Sequence, residues 1–386
     1  MHRPLHVVVI AHTRHPISQP FAGGLESLTW HLAQGLVARG HRVSVFAARG
    51  SDPIPGAEHL WPDTLPLSAA AEADVSMPEP GWMQRHHAHL RLMMDLAHRD
   101  DVDVVHSHSL HYLPAAMAPL LPSRSVLTLH TPPTPWLESA LRVAQDSPAH
   151  RPLVTAVSSH TARAWSHLVP AQVVPNGIDT RVWGAGPGGE GLVWSGRIVP
   201  EKAPHLAVQI ARRAGMPLTL AGPVSDERYA REVLRPLLGQ DVTYAGHLRV
   251  PELAELVGSS AAALVTPAWD EPFGLVAAEA LSCGTPVLGL ARGGLPEVVG
   301  PDVGRLVPVR DPEGRPMDEQ TVVALAAEAL PEVLTRSRER CRAHAVEHHS
   351  VDRMVDDYVR LYAAGLEADD EGATVLPFPG RRGVGR

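Results

Sequence analysis

Gly191-Leu-Val-Trp-Ser-Gly-Arg-Ile-Val-Pro-Glu-Lys202 decides the fold of this chain. It opens as a short apolar run of strand length, passes through a loop holding two cations, and gives way to a helical pattern over residues 204–214. A buried strand that feeds a loop and then a helix is the βα unit of a parallel sheet. The residues just before it, Gly184-Ala-Gly-Pro-Gly-Gly-Glu-Gly191, are dominated by glycine and read as part of an interdomain linker over 183–191. The quoted stretch is therefore the restart of a second βα series.

Working outward, the first series opens with His6-Val-Val-Val-Ile-Ala11, a continuous apolar strand. A loop with prolines ends at Gly23-Gly24, an amphipathic helix covers 25–38, and Gly40 stops it. Strands are expected at 42–47, 102–107, 125–129 and 153–158, with a helix over 83–98 and a turn at Pro175-Asn-Gly177. Beyond the restart, strands are expected at 218–221, 242–245, 263–266, 287–290 and 305–308, and helices over 317–334 and 350–366. Alternating strands and helices give an α/β protein of two doubly wound, Rossmann-like domains, 1–182 and 192–349, facing a cleft. The helix over 350–366 is expected to cross back to the first domain. Residues 367–386 mix acidic, Gly, Pro and Arg residues without periodicity and read as a disordered tail.

Composition narrows the partners. A chain of 386 residues exceeds one ordinary core, and its 44% hydrophobic and 20% charged residues are those of a globular protein. A formal net charge of −8 argues against nucleic acid as a partner. Acidic and basic residues are near balance in the first domain, which argues against firm membrane attachment. No apolar run reaches spanning length and the start lacks a signal-peptide pattern. The cysteines, Cys283 and Cys341, are far apart in sequence, which suits a reducing, cytoplasmic setting. The chain has one lysine, Lys202, and one asparagine, Asn176, beside abundant arginine. Chance survival of the two is one reading; the other is that each is kept for its chemistry, since the planar guanidinium does not reproduce a lysine's compact charge and asparagine tolerates left-handed backbone and caps turns.

Ligands of doubly wound domains bind at the carboxyl ends of strands. Trp269-Asp-Glu-Pro-Phe-Gly-Leu-Val-Ala-Ala-Glu279 lies between the strand at 263–266 and an Ala-rich helix. There the Phe273-Gly274-Leu275 step exposes backbone amides at a helix N-terminus, suited to phosphate. Glu271 in the loop and Glu279 in the helix offer carboxylates to sugar and ribose hydroxyls. Taken alone, the segment fits equally well a helix-dipole partner at Glu271 and a solvated helix residue at Glu279. Arg197 and Lys202 form a fork and a point charge suited to a diphosphate. His106 and His108, two apart at a strand end, mimic metal ligands but lack a third. Asp101-Val-Asp103 precedes a strand and reads as surface.

The spacing Glu271 to Glu279, the Gly196-Arg197 to Glu201-Lys202 loop, Pro175-Asn-Gly-Ile-Asp179 and Gly23-Gly-Leu-Glu26 occur in one order along the chain. Together they resemble family 4 of the glycosyltransferases, of the GT-B fold, up to about residue 366. The resemblance implies a retaining, metal-independent hexosyltransferase without a cofactor. It assigns Arg197 and Lys202 to the donor diphosphate, Glu271 to the transferred sugar and Glu279 to the ribose. It sets the backbone of Phe273, Gly274 and Leu275 against sugar and phosphate, His247 and Leu248 beside the base, and Gly23-Gly24 near the phosphate. His130, at a strand end, matches a histidine near the reacting sugar, and joins Glu271, Arg197 and Lys202 as a catalytic candidate. His108, Tyr112 and Trp136 are candidates for the acceptor side, where ordinary loop packing is an equal alternative. UDP-glucose follows from family frequency, with GDP-mannose and ADP-sugars open. The acceptor is a small molecule or carbohydrate. A non-catalytic nucleotide-sugar-binding GT-B protein, a GT-B epimerase and a phosphorylase are the competing readings. The phosphorylase would need for pyridoxal phosphate the lysine already placed in the diphosphate loop. Oligomeric state is not legible.

Overall fold

The computed structural model describes residues 3–147 and 151–370. Its seven-stranded sheet comprises β1 (His6–Ile10), β2 (Arg42–Phe46), β3 (Ala57–Leu60), β4 (Val104–Ser107), β5 (Arg124–Leu129), β6 (Leu153–Ala156) and β7 (Gln172–Val173). A second, six-stranded sheet comprises β8 (Leu192–Ser195), β9 (Leu218–Ala221), β10 (Val242–Tyr244), β11 (Ala262–Val265), β12 (Val287–Leu290) and β13 (Gly304–Val307). All pairings are parallel, in the orders β3-β2-β1-β4-β5-β6-β7 and β10-β9-β8-β11-β12-β13. Helices cover both faces, which is why the central strands are apolar without alternation: Val7, Val8, Val9 and Ile10 are fully buried.

In each sheet the strand order reverses beside the first strand, between β1 and β4 and between β8 and β11. A crevice opens at such a switch point because the flanking loops depart to opposite faces. The two crevices face each other, and the loops after β1, β5, β8 and β11 supply the walls between them.

The helix Val351–Asp370 returns to the first sheet, with Met354, Val355, Tyr358 and Tyr362 buried among Leu28, Leu32 and Leu36 of the helix Gly24–Ala38. Gly35 permits this crossing, since a Cβ there would lie 2.5 Å from Cγ2 of Val355. A second tie crosses behind the cleft. Ser158 Oγ donates to Pro272 O (2.6 Å), and the Glu297 carboxylate accepts the amides of Ser159 (2.7 Å) and His160 (2.8 Å) at the start of the helix Ser159–Trp165.

One expectation changes, and two features come to light that the sequence did not mark. The final helix continues to Asp370, docked through Leu361 and Leu366, so it overruns the start of the expected tail. The rest of that tail, 371–386, lies outside the described residues. The glycine-rich run is closely packed: Cβ atoms at Gly186 and Gly189 would meet the backbone of Gly258 at 2.4 Å and of Ser259 at 2.1 Å. Its glycines serve close packing against the second sheet domain, reinforced by Arg338, which donates to Ser260 O and Gly258 O. Strand β3 carries no apolar alternation and is recruited by backbone pairing at the sheet edge, which is why no strand was expected there.

Candidate active site

Between the two sheets lies a cleft of about 430 Å³. Its second-domain wall begins where β8 ends, at Gly196 and the half-exposed Arg197, 3.8 Å from Glu201. Lys202 closes the short turn Pro200–Lys202. Ala203 follows with φ +46, a left-handed conformation that a side chain tolerates at a cost of about 1–2 kcal/mol, and Pro204 then starts the helix Pro204–Arg213. Thr266 at the end of β11 holds this kink by donating to Ala203 O (3.1 Å).

The loop after β11 brings Glu271 to Lys202, Nζ to Oε2 2.5 Å, and Trp269 Nε1 donates to the same oxygen (3.1 Å). The Lys202 ammonium also stands 5.5 Å above the Trp269 ring. Glu271 is fixed from behind as well, since its carbonyl accepts Gly294 N at 2.6 Å. Phe273 turns its side chain into the core, leaving its backbone to the cleft. Gly274 (φ +104) caps the helix Leu275–Ser282, whose first amides, Leu275 and Val276, line the cleft without an acceptor among the described residues. Glu279 also faces the cleft, and burial pushes its carboxyl up to about 7. It is therefore not the solvated helix residue that its sequence context allowed.

These groups occupy the region matched by two family models: "Glycosyltransferase Family 4" over residues 22–182 and "Glycosyl transferases group 1" over residues 180–314. The chain belongs to glycosyltransferase family 4. A D-inositol 3-phosphate glycosyltransferase of Mycobacterium avium is 29% identical, over 93% of this chain and 95% of that protein. Among solved structures, AviGT4, a glycosyltransferase of avilamycin A biosynthesis, superposes with a TM-score of 0.68 at 23% identity, over 94% of this chain and 98% of that one. HepE of Anabaena, solved with UDP and glucose, gives 0.70 at 16%, over 93% and 99%. These two likenesses establish the GT-B fold.

The glycosyltransferase's first domain supplies the opposite wall, with Gly23, Gly24 and His130. A Cβ on Gly24 would lie 2.5 Å from Cδ1 of Leu275, so glycine lets the two domains approach across the cleft. His247, with Leu248 beside it, reaches the same loop by donating from Nε2 to Phe21 O (3.2 Å). The expected donor residues, Gly23, Gly24, Arg197, Lys202, His247, Leu248, Glu271, Phe273, Gly274, Leu275 and Glu279, thus line one cleft.

The acceptor-side expectations fare differently. His108 is fully buried behind His130, Nδ1 to Nε2 2.9 Å, and cannot touch an acceptor. Tyr112 and Trp136 do not line the cleft; they stack on each other at 5.4 Å, in a group with Trp82, His86 and His111. Trp136 keeps 61% of its surface exposed there. His106 is no ligand either, since its nitrogens meet Tyr362 Oη (2.6 Å) and Thr128 Oγ1 (2.7 Å). Among the described residues, no three His, Cys, Asp or Glu side chains are grouped to hold a metal ion.

Four cleft residues had no role in the sequence reading. His12 is held down to about 4 by burial and then by the nearby His89 and Arg14. Glu26 is buried, and burial raises its carboxyl despite His15 and Arg197 nearby. Trp269 orients Glu271. Asn176 is buried in the cleft wall, and its Oδ1 has no partner among the described residues. Asn176 carried a signal in its solitary occurrence and in the Pro175-Asn-Gly-Ile-Asp179 motif, and Glu26 and Trp269 lay within quoted motifs without a role of their own; His12 carried none.

Proposed function

We propose that the protein transfers a hexose from a nucleotide diphosphate sugar, UDP-glucose, to a hydroxyl of a small-molecule or carbohydrate acceptor, with retention at the anomeric carbon and without a metal. The observation that carries this reading is the convergence of Arg197, Lys202 and the amides opening the helix Leu275–Ser282 on one cleft, with Glu271 and Glu279 on either side of those amides in sequence. Cleavage of the sugar–phosphate bond sends its electron pair to the diphosphate and leaves positive charge on the anomeric carbon. Fixed positive charge stabilises the leaving group without reorganisation. Lys202 is held beside Glu271 at the cleft, where its ammonium can meet a phosphate of the donor. Glu271 then accepts hydroxyls of the sugar, and Glu279 those of the ribose. The acceptor oxygen attacks from the face the phosphate leaves, and its proton passes to a phosphate oxygen, so no covalent nucleophile is required, unlike the carboxylate pair of retaining hydrolases. The acceptor enters past His12, Arg14 and Thr131 on the first-domain side, and the setting is cytoplasmic. No helix among the described residues is long and apolar enough to cross a membrane.

A thermal-shift titration in EDTA with UDP, GDP and ADP tests the donor site. A ligand that binds only the native state raises the midpoint as its concentration passes the dissociation constant. The expected outcome is stabilisation by UDP, lost in Lys202→Ala and Glu279→Ala. Stabilisation that requires added metal, or none by any nucleotide, would count against the proposal.

A further inference from the structure

Burial leaves the two rings His130 and His108 neutral at ordinary pH, pushing His130 down to about 3 and His108 well below its usual value. With His130 Nε2 lying 2.9 Å from His108 Nδ1, one hydrogen sits between the two nitrogens. The remaining nitrogens have opposite surroundings. Nε2 of His108 is sealed in the protein with no partner. Nδ1 of His130 has no partner among the described residues but is not sealed, and its ring lines the cleft.

These surroundings select the tautomer. If His130 donated to His108, the proton of His108 would sit on Nε2 as a buried N–H without an acceptor, the rarer and costlier orphan in folded proteins. If His108 donates from Nδ1, its sealed nitrogen is a bare lone pair and His130 carries its proton on Nδ1, facing the cleft. Each ring nitrogen's role follows from the bond the other makes. His108 is itself immobilised: its ring packs 4.1 Å from His106, which is bonded to Tyr362 of the returning helix and to Thr128 of β5.

We propose that His108 is a positioning residue that fixes His130 as the Nδ1–H tautomer, so that His130 meets the sugar as a hydrogen-bond donor and not as a base. The inference rests on the sugar-transfer reading above for its consequence, though not for its geometry. A bare nitrogen at this place would compete for the acceptor's proton; an N–H leaves that proton to the departing phosphate and instead donates to a sugar oxygen.

Long-range 15N NMR of protein labelled at the histidine rings reads the tautomer without substrate, with His130 assigned by its absence in His130→Asn. The expected result is protonation at Nδ1 in the wild type and in His108→Gln, whose amide can donate to Nε2. His108→Leu, which has no donor, should move protonation toward Nε2. It should lower kcat roughly tenfold with the donor KM little changed, while His108→Gln keeps kcat within about threefold. Protonation at Nε2 in the wild type overturns the proposal, and so does a folded His108→Leu with unchanged tautomer and kcat. The wild-type spectrum decides even if His108→Leu fails to fold. Nδ1 protonation in a chain that transfers no sugar would support the positioning and overturn the sugar-transfer reading alone.

Discussion

Glu279 sits where burial and ligand binding pull a carboxyl in opposite directions. Burial raises it from the usual 4.5 to about 7, while two ribose hydroxyls are best accepted by the ionised form. Between those two pH values the folded chain holds a proton that the unfolded chain has released. The group's contribution is therefore complete below about pH 4.5 and declines as pH rises toward 7, by on the order of 3 kcal/mol. Glu279→Gln should remove this decline from the unliganded protein, measured by denaturant unfolding at pH 5 and 7 beside the wild type. Nucleotide affinity should run the other way, strengthening severalfold from pH 6 to 8 in the wild type. It should be flat and about tenfold weaker in the variant, as loss of hydrogen bonds to a charged group implies. Calorimetric titration at the two pH values checks it, and a parallel pH dependence in the variant would show that another group is responsible. At this scale the sequence was legible wherever chemistry demanded a rare residue type. Lys202 and Asn176 stood out by being solitary. Glu26 was marked only as the end of the Gly23-Gly-Leu-Glu26 motif, with no role, and His12 was not marked at all, because nothing in one of 23 histidines says which will be buried in a cleft wall.

Loops packed on loops set the position of Glu271. Gly293 has φ +62, and a Cβ there would lie 2.1 Å from the carbonyl oxygen of Glu271 and 2.5 Å from its nitrogen. The neighbouring Gly294 donates to that same carbonyl. Gly293→Ala must therefore strain its own backbone and push the 270–272 segment into the cleft. The expected cost is about 2 kcal/mol of stability, with kcat/KM reduced more than tenfold, since small displacements at a reacting centre are amplified in rate. Nucleotide binding should persist, because Glu279 and Arg197 lie on other segments. Normal activity in a folded Gly293→Ala protein would detach Glu271's position from this contact. The elements that present the site were readable because each βα unit couples an apolar run to a helix stop. What escaped was the support behind them. Gly293-Gly294 reads as an ordinary turn until its contact with a loop twenty residues upstream is seen. Strand β3 and the helix Arg338–His349 take their place from tertiary contacts more than from apolar periodicity.

Across the whole molecule, the feature with the largest energetic reach is the set of buried histidines behind the cleft. His106 and His130 are held near 3 and His89 near 4, in each case chiefly by burial, and His108 is held well below its usual value. All four belong to the first domain, around β4, β5 and the helix Pro80–Leu96. The unfolded chain protonates each near 6.5, whereas the folded rings stay neutral well below that. Unfolding therefore takes up protons in this range, and the contribution is complete above about pH 6.5 and is lost as pH falls. At pH 5 each ring forfeits on the order of 2 kcal/mol, so the four together approach the 5–15 kcal/mol that holds a typical protein folded. Glu279 works in the opposite sense over the same range and offsets one of them. His12, His111 and His349 are held near 4, 3 and 3 in the same way, so the protein should unfold in mild acid, and its stability should change between pH 6 and 5 as though unfolding bound about five protons. Denaturant unfolding followed by circular dichroism across that range measures the slope directly. His89→Phe, which keeps the ring contact with Phe46, should reduce the slope by about one proton. A slope near zero would mean that these rings are already protonated in the folded state, and would remove the neutral His108–His130 pair on which the donor role of His130 depends.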